Sequence, residues 1–363
     1  MRYTIGDLAE ALGAEAVGDL TLKIRRPAEP GAAGPDDLAL AMERKFLEEV
    51  RTGNARAAVV SAGTDWQALG LQAAIFAPRS RYVMAGVAEA FAHPPVIAPG
   101  IHPTAVIEPG VEIGPEPAIG PFVHIQQGCV IGARARIGSH VSIGEGARLG
   151  DDILLFPGAR LGPFVAIGDR FIGHHGISIG ADGFSFVTPQ PGSVEEARAT
   201  GKISEASRTN GFRRIASLGS VTIEADVEIG ANSVVDRGTI ADSRIGQGTK
   251  IDALVMLGHN VQIGALCLIC GQVGVAGSTV VGDRVVLAAR AAVADHVTIG
   301  ADSIITGKTG IASNVPPGRI MMGSPGVAMD QFLASYRIFR RLPRLAAKLD
   351  SLQKRVSNSE TNG

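Results

Sequence analysis

The sequence predicts a mainly β protein, a parallel β-helix of hexapeptide repeats between a small α/β domain and C-terminal helices. An aliphatic residue recurs every six positions from Ile101 to Ile167 and again from Ile245 to Ile311. The residue two positions earlier is mostly small or β-branched, and the next residue is often glycine. The composition agrees, because 4% aromatic residues and 47 glycines suit thin repeated coils with tight corners.

Each six-residue unit is interpreted as a strand followed by a corner. Residues i and i−2 of a strand point to the same side, so both face the interior. A glycine after them suits a corner where φ is positive or where backbones crowd. Three units close a triangular coil, and coils should stack about 4.8 Å apart. Cys129 and Cys267 occupy inward positions, so the pair Cys267/Cys270 is interpreted as core filling rather than a zinc site.

Three domains follow from these patterns. Residues 1–98 are assigned to the α/β domain, in which Thr4 and Asp7 have capping-box spacing, 57–60 and 73–76 are strands and 79–91 is a helix. The β-helix is assigned to 99–313, with its register broken from 171 to about 218 and a loop insertion at about 181–214. A helical extension covers 314–356, divided at Pro343. Residues 357–363 are predicted to be a disordered tail.

Charge and hydropathy narrow the functional classes. The net charge of −1 gives no reason to expect nucleic acid. Three cysteines indicate no disulfide framework and fit a reducing compartment. The first residues are charged and no stretch of 18 apolar residues occurs, so neither a signal peptide nor a membrane span is expected. A cytoplasmic protein is the expectation.

Two histidines stand out from the repeat. His259 lies two residues after Leu257, at a coil position that carries no structural aliphatic, and imidazole titrates near neutral pH. His296 follows 37 residues later, which is two coils and one residue. Two coils rise only about 10 Å, so both side chains can lie in one cleft. A structural histidine and a solvated turn histidine are the alternative interpretations.

Five short motifs resemble the UDP-3-O-acylglucosamine N-acyltransferases of lipid A biosynthesis. They are Gly-Ala-Asp-Gly-Phe at 180–184, Asp-Arg-Gly at 236–238, Gly-His-Asn-Val at 258–261, Asp-His at 295–296 and Val-Pro-Pro-Gly at 315–318. The resemblance implies a left-handed β-helix and a homotrimer with sites between neighbouring subunits. It implies transfer of a 3-hydroxyacyl group from acyl carrier protein to the 2-amine of a UDP-linked, 3-O-acylated glucosamine. It implies no metal and no cofactor beyond the phosphopantetheine thioester of the donor.

The same resemblance implies roles for individual residues of the β-helix. His259 corresponds to the general base, His296 to a group near the substrate phosphate or the transition-state charge, and Gly277 to the donor of an oxyanion N–H. Asp252 corresponds to an acidic residue near the sugar, although Ala253 follows it where asparagine is usual. The neighbour of His259, Asn260, is expected to bind substrate.

Substrate specificity is expected to depend on residues elsewhere in the sequence. The family's uracil site corresponds to residues 38–46, where Phe46 fits an aromatic position, Leu40 replaces another aromatic residue and Glu43 replaces asparagine. A carboxylate at Glu43 would repel a pyrophosphate. Gly310 falls where some relatives carry a bulky residue at the end of the acyl groove, so a longer acyl chain is expected.

The last helices carry a basic face that includes Arg337, Arg340, Arg341 and Arg344. It is interpreted as either a solvated surface or a docking site for the acidic acyl carrier protein. The alternatives for the whole chain are a paralogue that acts on another nucleotide-linked amino sugar, an acetyl-CoA-dependent enzyme of the same fold, a zinc carbonic anhydrase-like β-helix and a non-catalytic trimeric scaffold. A zinc enzyme of this kind needs three histidines around one ion, and no third histidine is in register with His259 and His296.

Overall fold

The computed structural model describes residues 3–93, 95–205, 207, 211–323 and 326–360. The chain divides into two compact units between Val96 and Ile97, two residues before the domain boundary expected from the sequence.

The first unit contains a five-stranded sheet, a separate pair of short strands, and helices that pack on the sheet. Its strands are β1 Tyr3–Thr4, β2 Ala16–Gly18, β3 Lys23–Ile24, β4 Arg26–Ala28, β5 Asp37–Ala41, β6 Ala57–Ser61 and β7 Ala73–Ala77. Its helices are α1 Ile5–Leu12, α2 Leu47–Thr52 and α3 Ser80–Ala90, with 3-10 turns at Pro30–Ala32 and Arg44–Phe46. The sheet has the order β2-β7-β6-β5-β4, in which β2 is antiparallel to β7 and the other pairs are parallel. Strand β1 pairs separately with β3.

Successive side chains of the central strand β6 point to opposite faces of the sheet, so this unit has a hydrophobic cluster on each face. Val59 packs in a cluster with Leu8 of α1 and Val83 of α3, whereas Val60 packs in a second cluster with Val50 of α2. The predicted capping box is present, because Thr4 Oγ1 accepts from the backbone of Asp7 at 3.1 Å and the Asp7 carboxylate accepts from the backbone of Thr4 at 2.9 Å. Helix α1 therefore begins where the sequence predicts.

The second unit is a β-helix with three parallel sheets, here called the first, second and third faces. The first face contains Gly100–Ile101, Ala118–Ile119, Arg136–Ile137, Leu154–Leu155, Ile172–Gly173, Glu228–Ile229, Lys250–Ile251, Leu268–Ile269, Val286–Leu287, Ile304–Ile305 and Ile320–Met321. The second contains Val106–Ile107, His124–Ile125, Ser142–Ile143, Arg160–Leu161, Ser178–Ala181, Val234–Asp236, Met256–Leu257, Gly274–Val275, Ala292–Val293 and Gly310–Ile311. The third contains Glu112–Ile113, Val130–Ile131, Arg148–Leu149, Ala166–Ile167, Val221–Ile223, Ser243–Ile245, Gln262–Ile263, Val280–Val281 and Thr298–Ile299.

The recurring aliphatic residues from Ile107 onward form one continuous core along the β-helix, as predicted, whereas Ile101 is 47% exposed. Cys129 and Cys267 are fully buried in it with free thiols, which agrees with their interpretation as core residues. Glycine often follows the aliphatic residue because the backbones of neighbouring coils are crowded there, and a Cβ at Gly114 would lie 2.7 Å from the backbone of the next coil. Positive φ occurs two residues later instead, as at Asn260 (60°) and His296 (57°), where Asn and His tolerate the left-handed region. The predicted fold class, a hexapeptide-repeat parallel β-helix, is confirmed.

The register does not break at Phe171, contrary to the sequence expectation. Phe171 is fully buried in the interior, and the coils continue through Ile172–Gly173 and Ser178–Ala181. The insertion starts only after Ala181. It contains the antiparallel pair Phe186–Val187 and Arg213–Arg214 and the helix α4 Ser193–Thr200, and the coils resume at Val221–Ile223.

Two helices follow the β-helix, α5 Met329–Phe339 and α6 Leu342–Glu360. Pro343 lies in the first turn of α6, where a missing N–H costs no hydrogen bond, so it separates two helices as predicted. Helix α6 extends to Glu360, which corrects the predicted start of the tail at 357, since a helix once begun adds residues at little cost. Residues 361–363 of that predicted tail lie outside the described residues. None of the helices that the structure describes is both long and apolar enough to cross a membrane.

Candidate active site

The candidate site lies at the turn after the second-face strands, here called the second corner. On three successive coils this corner consists of residues 258–260, 276–278 and 294–296. Backbone hydrogen bonds connect the three turns, because Ser278 donates to the carbonyl of His259 at 2.8 Å and His296 donates to the carbonyl of Gly277 at 3.1 Å. The structure therefore brings His259, Gly277 and His296 to one edge of the β-helix.

One nitrogen of His259 is fixed by its neighbour. Nδ1 of His259 lies 3.1 Å from Oδ1 of Asn260. That amide is oriented by two other bonds, since Oδ1 accepts from the N–H of Thr239 at 2.9 Å and Nδ2 donates to the carbonyl of Ala241 at 2.8 Å. Because an amide oxygen only accepts, Nδ1 carries the proton and Nε2 keeps its lone pair. The arrangement provides a base at Nε2.

The imidazole of His259 lies between two glycines. A Cβ at Gly277 would lie 2.7 Å from both Cε1 and Nε2 of the ring, and a Cβ at Gly183 would lie 2.6 Å from the Cβ of His259. Gly183 itself is buried, and its N–H donates to Oγ of Ser217 at 3.1 Å. Any larger side chain at either glycine would displace the ring.

The backbone N–H of Gly277 is a free donor beside this ring. Its neighbours donate within the β-helix, Ala276 to Val293 at 3.0 Å and Ser278 to His259 at 2.8 Å. The N–H of Gly277 itself has no acceptor within the described part of the chain. A developing oxyanion needs such a preorganised donor close to the base.

Asp236 is the titratable neighbour of His259. Burial raises the pKa of Asp236 to about 6, the charge of His259 opposes that rise and the charge of Asp182 adds to it. Its backbone is fixed by Ser243, whose hydroxyl donates to the Asp236 carbonyl at 2.7 Å. A carboxyl group with this pKa changes charge close to the pH at which a histidine base works.

The insertion is attached to the second corner by two ion pairs. Arg214 of the insertion hairpin contacts Asp182 at 2.9 Å. Arg198 of α4 contacts Asp295 at 3.1 Å, and this bond holds the pKa of Asp295 below its usual value. Since Asp295 precedes His296, the insertion is connected to the corner on either side of His259.

Asp252 lies at a different edge of the β-helix. It follows the first-face strand Lys250–Ile251, whereas His259 follows the second-face strand Met256–Leu257. Asp252 is exposed, and one carboxylate oxygen accepts from the N–H of Ala253 at 2.7 Å. It borders a cavity of about 450 Å³ with Lys250 and His174 on the first face. Within one chain the structure does not bring Asp252 to His259.

Gly310 lies at the end of a row of outward-facing residues on the second face. The row runs through paired positions from Met256 to Gly274, Ala292 and Gly310. Three of these four residues are small, and no atom of the described residues lies within 4 Å of a Cβ placed at Gly274 or Gly310. The row begins on the coil of His259 and offers an open strip on the surface.

The nucleotide-contacting stretch proposed from the sequence lies in the first unit. Glu43 pairs with Lys45 at 2.8 Å, and the Lys45 ammonium lies 4.7 Å from the centre of the Phe46 ring. Leu40 and Phe46 pack against different core clusters of the sheet, so they do not form a common aromatic surface. The lysine offsets the carboxylate that the sequence suggested would repel a pyrophosphate.

The four arginines of the basic face are exposed. Arg337 lies in α5, Arg340 and Arg341 connect the two helices, and Arg344 lies in the first turn of α6. The apolar side chains of these helices are exposed as well, including Phe332 at 53%.

The sequence did not single out Gly183 or Asp236 as site residues. Both fall within motifs that carried the resemblance, at 180–184 and 236–238. Both residues interrupt the aliphatic repeat, and a search for such interruptions near the candidate base could have identified them. Among the described residues, no group of three or more His, Cys, Asp or Glu side chains is arranged to hold a metal ion.

Comparison with known proteins gives a family and close relatives. The family described as "Bacterial transferase hexapeptide (six repeats)" matches residues 110–145 and 242–277. A UDP-3-O-acylglucosamine N-acyltransferase of Ruegeria pomeroyi is 54% identical over 357 residues, which cover 98% of each chain. A protein with the same name from Paracoccus denitrificans is 57% identical over 278 residues, 77% of this chain and 76% of the relative. Another from Paraburkholderia phytofirmans is 44% identical over 97% of this chain and 94% of the relative.

Proposed function

Because the chain belongs to the UDP-3-O-acylglucosamine N-acyltransferase family, and is therefore an acyltransferase, we propose that it N-acylates UDP-3-O-acylglucosamine in lipid A biosynthesis. The acyl donor is a 3-hydroxyacyl group on the phosphopantetheine thioester of acyl carrier protein. The observation that carries the proposal is the free Nε2 of His259, whose other nitrogen is fixed by Asn260 at 3.1 Å.

The reaction needs a base, an oxyanion donor and a proton for the leaving group. The sugar 2-amine attacks the thioester carbonyl carbon, the C–N bond forms, and Nε2 of His259 takes a proton from the attacking nitrogen. The N–H of Gly277 donates to the resulting oxyanion. As the intermediate collapses, the C–S bond breaks and the imidazolium returns the proton to the sulfur, giving an amide and the carrier thiol.

Asp236 and His296 assist this sequence. A negative charge on Asp236 stabilises the imidazolium that forms at His259, since opposite charges in a partly buried site attract more strongly than in water. His296 is exposed two coils from His259, where it can contact the substrate phosphate or the transition-state charge.

We further propose a homotrimer with sites between neighbouring chains. Asp252 and His259 lie at two different edges of the same β-helix, so both can serve one sugar only if the edges belong to adjacent subunits. The apolar side chains left exposed on α5 and α6 also favour assembly, because apolar surface of this extent is normally covered.

The strip on the second face is proposed to hold the transferred acyl chain. It starts on the coil of His259 and stays open through Gly310. A methionine introduced as Gly310→Met should shift the preferred donor to shorter chains, as measured with a series of 3-hydroxyacyl carrier proteins. Unchanged preference in this variant, or a wild-type preference confined to short chains, would contradict the assignment.

We propose that the other parts of the two substrates bind to residues near the two ends of the chain. Uridine is assigned to the stretch around Phe46, with Lys45 as the cation for the pyrophosphate, and the acidic carrier protein to the arginines of α5 and α6. A paralogous acceptor, another nucleotide-linked amino sugar, is the second candidate. It is favoured by Ala253 beside Asp252 and by Leu40, which packs into the core instead of offering an aromatic face.

The test is an assay of the purified protein with 3-hydroxyacyl carrier protein and UDP-3-O-acylglucosamine, read by mass spectrometry. The expected product has gained one 3-hydroxyacyl group on nitrogen. His259→Ala should lower kcat/KM by about 10²- to 10⁴-fold, the usual contribution of a general base. His102→Ala, a change to an exposed histidine of the first coil, is the matched control. Acylation of a different amino sugar in preference to UDP-3-O-acylglucosamine would support the second candidate, and a fully active His259→Ala protein would refute the assigned base.

A further inference from the structure

The chain returns from the insertion to the β-helix through residues 217–219, here called the return segment. Its first residue, Ser217, is only 8% exposed. The hydroxyl of Ser217 accepts from the N–H of Gly183, which is also buried, at 3.1 Å. Because Gly183 lies at the start of the insertion, this bond joins the two ends of the insertion. A buried N–H that loses its partner is costly, so the bond holds the Gly183 peptide in place.

The Gly183 peptide is one wall of the space that holds the His259 side chain. A Cβ at Gly183 would lie 2.6 Å from Cβ, 3.0 Å from Cγ and 3.1 Å from Cδ2 of His259. A Cβ at Gly277 would lie 2.7 Å from Cε1 and Nε2 of the same ring. The imidazole is therefore held between two backbones, and a close-packed ring can turn only when one of them moves.

The return segment is connected to His259 by a second route. The N–H of Leu218 donates to the carbonyl of Thr239 at 2.8 Å, and the N–H of Thr239 donates to Oδ1 of Asn260 at 2.9 Å. The same oxygen lies 3.1 Å from Nδ1 of His259. The end of the insertion is thus connected both to the peptide that packs on the ring and to the amide that fixes its tautomer.

Other buried hydroxyls of the β-helix connect one coil to the next. That of Thr249 donates to the carbonyl of Gly264 at 2.8 Å. Ser217 differs, because it lies outside the hexapeptide repeat and its bond ends at the glycine that packs on the base. Among the described residues, the hydroxyl of Ser217 bonds to Gly183 and not to the imidazole. Any effect of Ser217 on His259 therefore passes through Gly183.

A general base works only when its ring is held in the productive orientation, which requires support from groups behind it. We propose that Ser217 is a positioning residue for the base. Its hydroxyl fixes the Gly183 peptide, and that peptide keeps the His259 imidazole in the orientation in which Nε2 is free. This inference rests on the proposed role of His259 and gives the insertion a part in the reaction.

The kinetic test uses Ser217→Ala in the full-length protein. Without the hydroxyl, the N–H of Gly183 loses its acceptor and the imidazole loses one fixed wall. The variant should lower kcat by about 10- to 100-fold, because a small displacement of a catalytic group is costly. KM for both substrates should stay unchanged, since the proposed role of Ser217 is confined to the base. Ser217→Thr keeps the hydroxyl and should recover most of the wild-type kcat.

A second measurement follows the ring without turnover. Diethyl pyrocarbonate acylates unprotonated imidazole nitrogens, and mass spectrometry of peptides gives the rate at each histidine. His259 is half-buried, so a ring released in Ser217→Ala should react several-fold faster than in the wild-type protein. The exposed His102 and His296 are internal references and should react at unchanged rates.

Ser220→Ala is the matched control. Ser220 is also 8% exposed and lies just after the return segment, but its hydroxyl donates to the carbonyl of Pro163 at 3.3 Å. This variant should lower the Tm about as much as Ser217→Ala and leave kcat and the reactivity of His259 unchanged. A wild-type kcat in Ser217→Ala, or an equal loss of kcat in both variants, would overturn the inference. Wild-type protein that transfers no acyl group, while His259 still reacts faster in Ser217→Ala, would refute the proposed function and leave the positioning of the ring by Ser217 standing.

Discussion

Asn260 determines which nitrogen of His259 is available for chemistry. Its amide oxygen accepts from both Thr239 and His259, and its amide nitrogen donates to Ala241. With these bonds made, we propose that Asn260 acts on the reaction through the imidazole. The sequence assigned it to substrate binding, because a motif shows that two residues are adjacent but not where the second side chain points.

The titration of Asp236 predicts a specific pH dependence of stability. Its pKa is about 6 in the folded protein against an ordinary value of 3.8, so the folded state keeps a proton that the unfolded state releases between these values. The free energy of unfolding should therefore fall as pH rises from about 4 to about 6. Asp236→Asn should remove about 1–2 kcal/mol of this fall, a value reduced for the partial exposure of the side chain. Urea unfolding of both proteins at several pH values measures it.

Asp302→Asn is the matched control for that experiment. Arg284 lowers the pKa of Asp302, so its contribution is present above the ordinary carboxyl range and is lost as pH falls. The two variants should change the pH profile in opposite directions. Identical profiles for wild type and Asp236→Asn would show that Asp236 is not a perturbed group.

Gly277→Ala should disable the site without unfolding the coil. The new methyl group would lie 2.7 Å from Nε2 of His259, so the ring must turn away from its bond with Asn260. A displacement of this size costs about 100-fold in kcat/KM. Gly326→Ala, whose added carbon would have no atom within 4 Å in the part of the chain that the structure describes, is the control and should be fully active. A fully active Gly277→Ala protein would mean that the imidazole does not lie over this residue during catalysis.

At the scale of elements, the aliphatic repeat predicted most strands of the β-helix, but it did not predict the coil of Phe171. The aliphatic repeat identifies inward positions because each coil repeats the same geometry. It failed at the coil of Phe171, where phenylalanine fills the interior and Gly173 leaves the space for it. A Cβ at Gly173 would lie 2.9 Å from that ring. A large residue and glycine that compensate each other do not look like the repeat, so the sequence placed the break too early.

The candidate site was predictable where it follows the period of the coil. Gly277 lies one coil after His259, so it is identified by counting one coil along the sequence from that histidine. Asp236 and Gly183 cannot be found this way, because the coil before His259 contains extra residues. Val235 pairs with Leu257 at a spacing of 22 residues, whereas Leu257 pairs with Val275 at 18. Gly183 reaches the ring only because the insertion begins beside it.

The basic face of the last two helices leads to a prediction about the donor. Arg337→Glu combined with Arg341→Glu should raise KM for the acyl carrier protein about tenfold and leave kcat unchanged, because we propose that these side chains contact the carrier and not the reacting atoms. The wild-type KM should rise with ionic strength, and the variant should lose most of that dependence. Lys23→Glu, an exposed charge reversal in the first unit, is the control. A wild-type KM that ignores salt would refute electrostatic docking.

At the scale of the whole molecule, the proposed roles of Asp252 and His259 require the two residues to meet at one sugar. They lie at the ends of different faces of one β-helix, and a rigid stack of coils cannot bring them together. The proposed cyclic assembly does so when the turn after the first-face strands of one subunit, which contains Asp252, faces the second corner of the next. Every site then takes its base from one chain and its sugar-contacting carboxylate from the neighbour.

Shared sites of this kind predict that two inactive variants complement each other. In a population of His259→Ala and Asp252→Ala subunits mixed equally at random, about a quarter of the sites combine an intact His259 with an intact Asp252. Coexpression with two affinity tags removes the inactive homotrimers, so purified mixed trimers, each with one intact site in three, should recover about a third of the wild-type kcat. His259→Ala mixed with Gly277→Ala is the control and should restore nothing, because both residues belong to the same corner of one chain. If mixed trimers form, as native mass spectrometry can verify, and the first pair remains as inactive as the control, then each site is built within a single subunit.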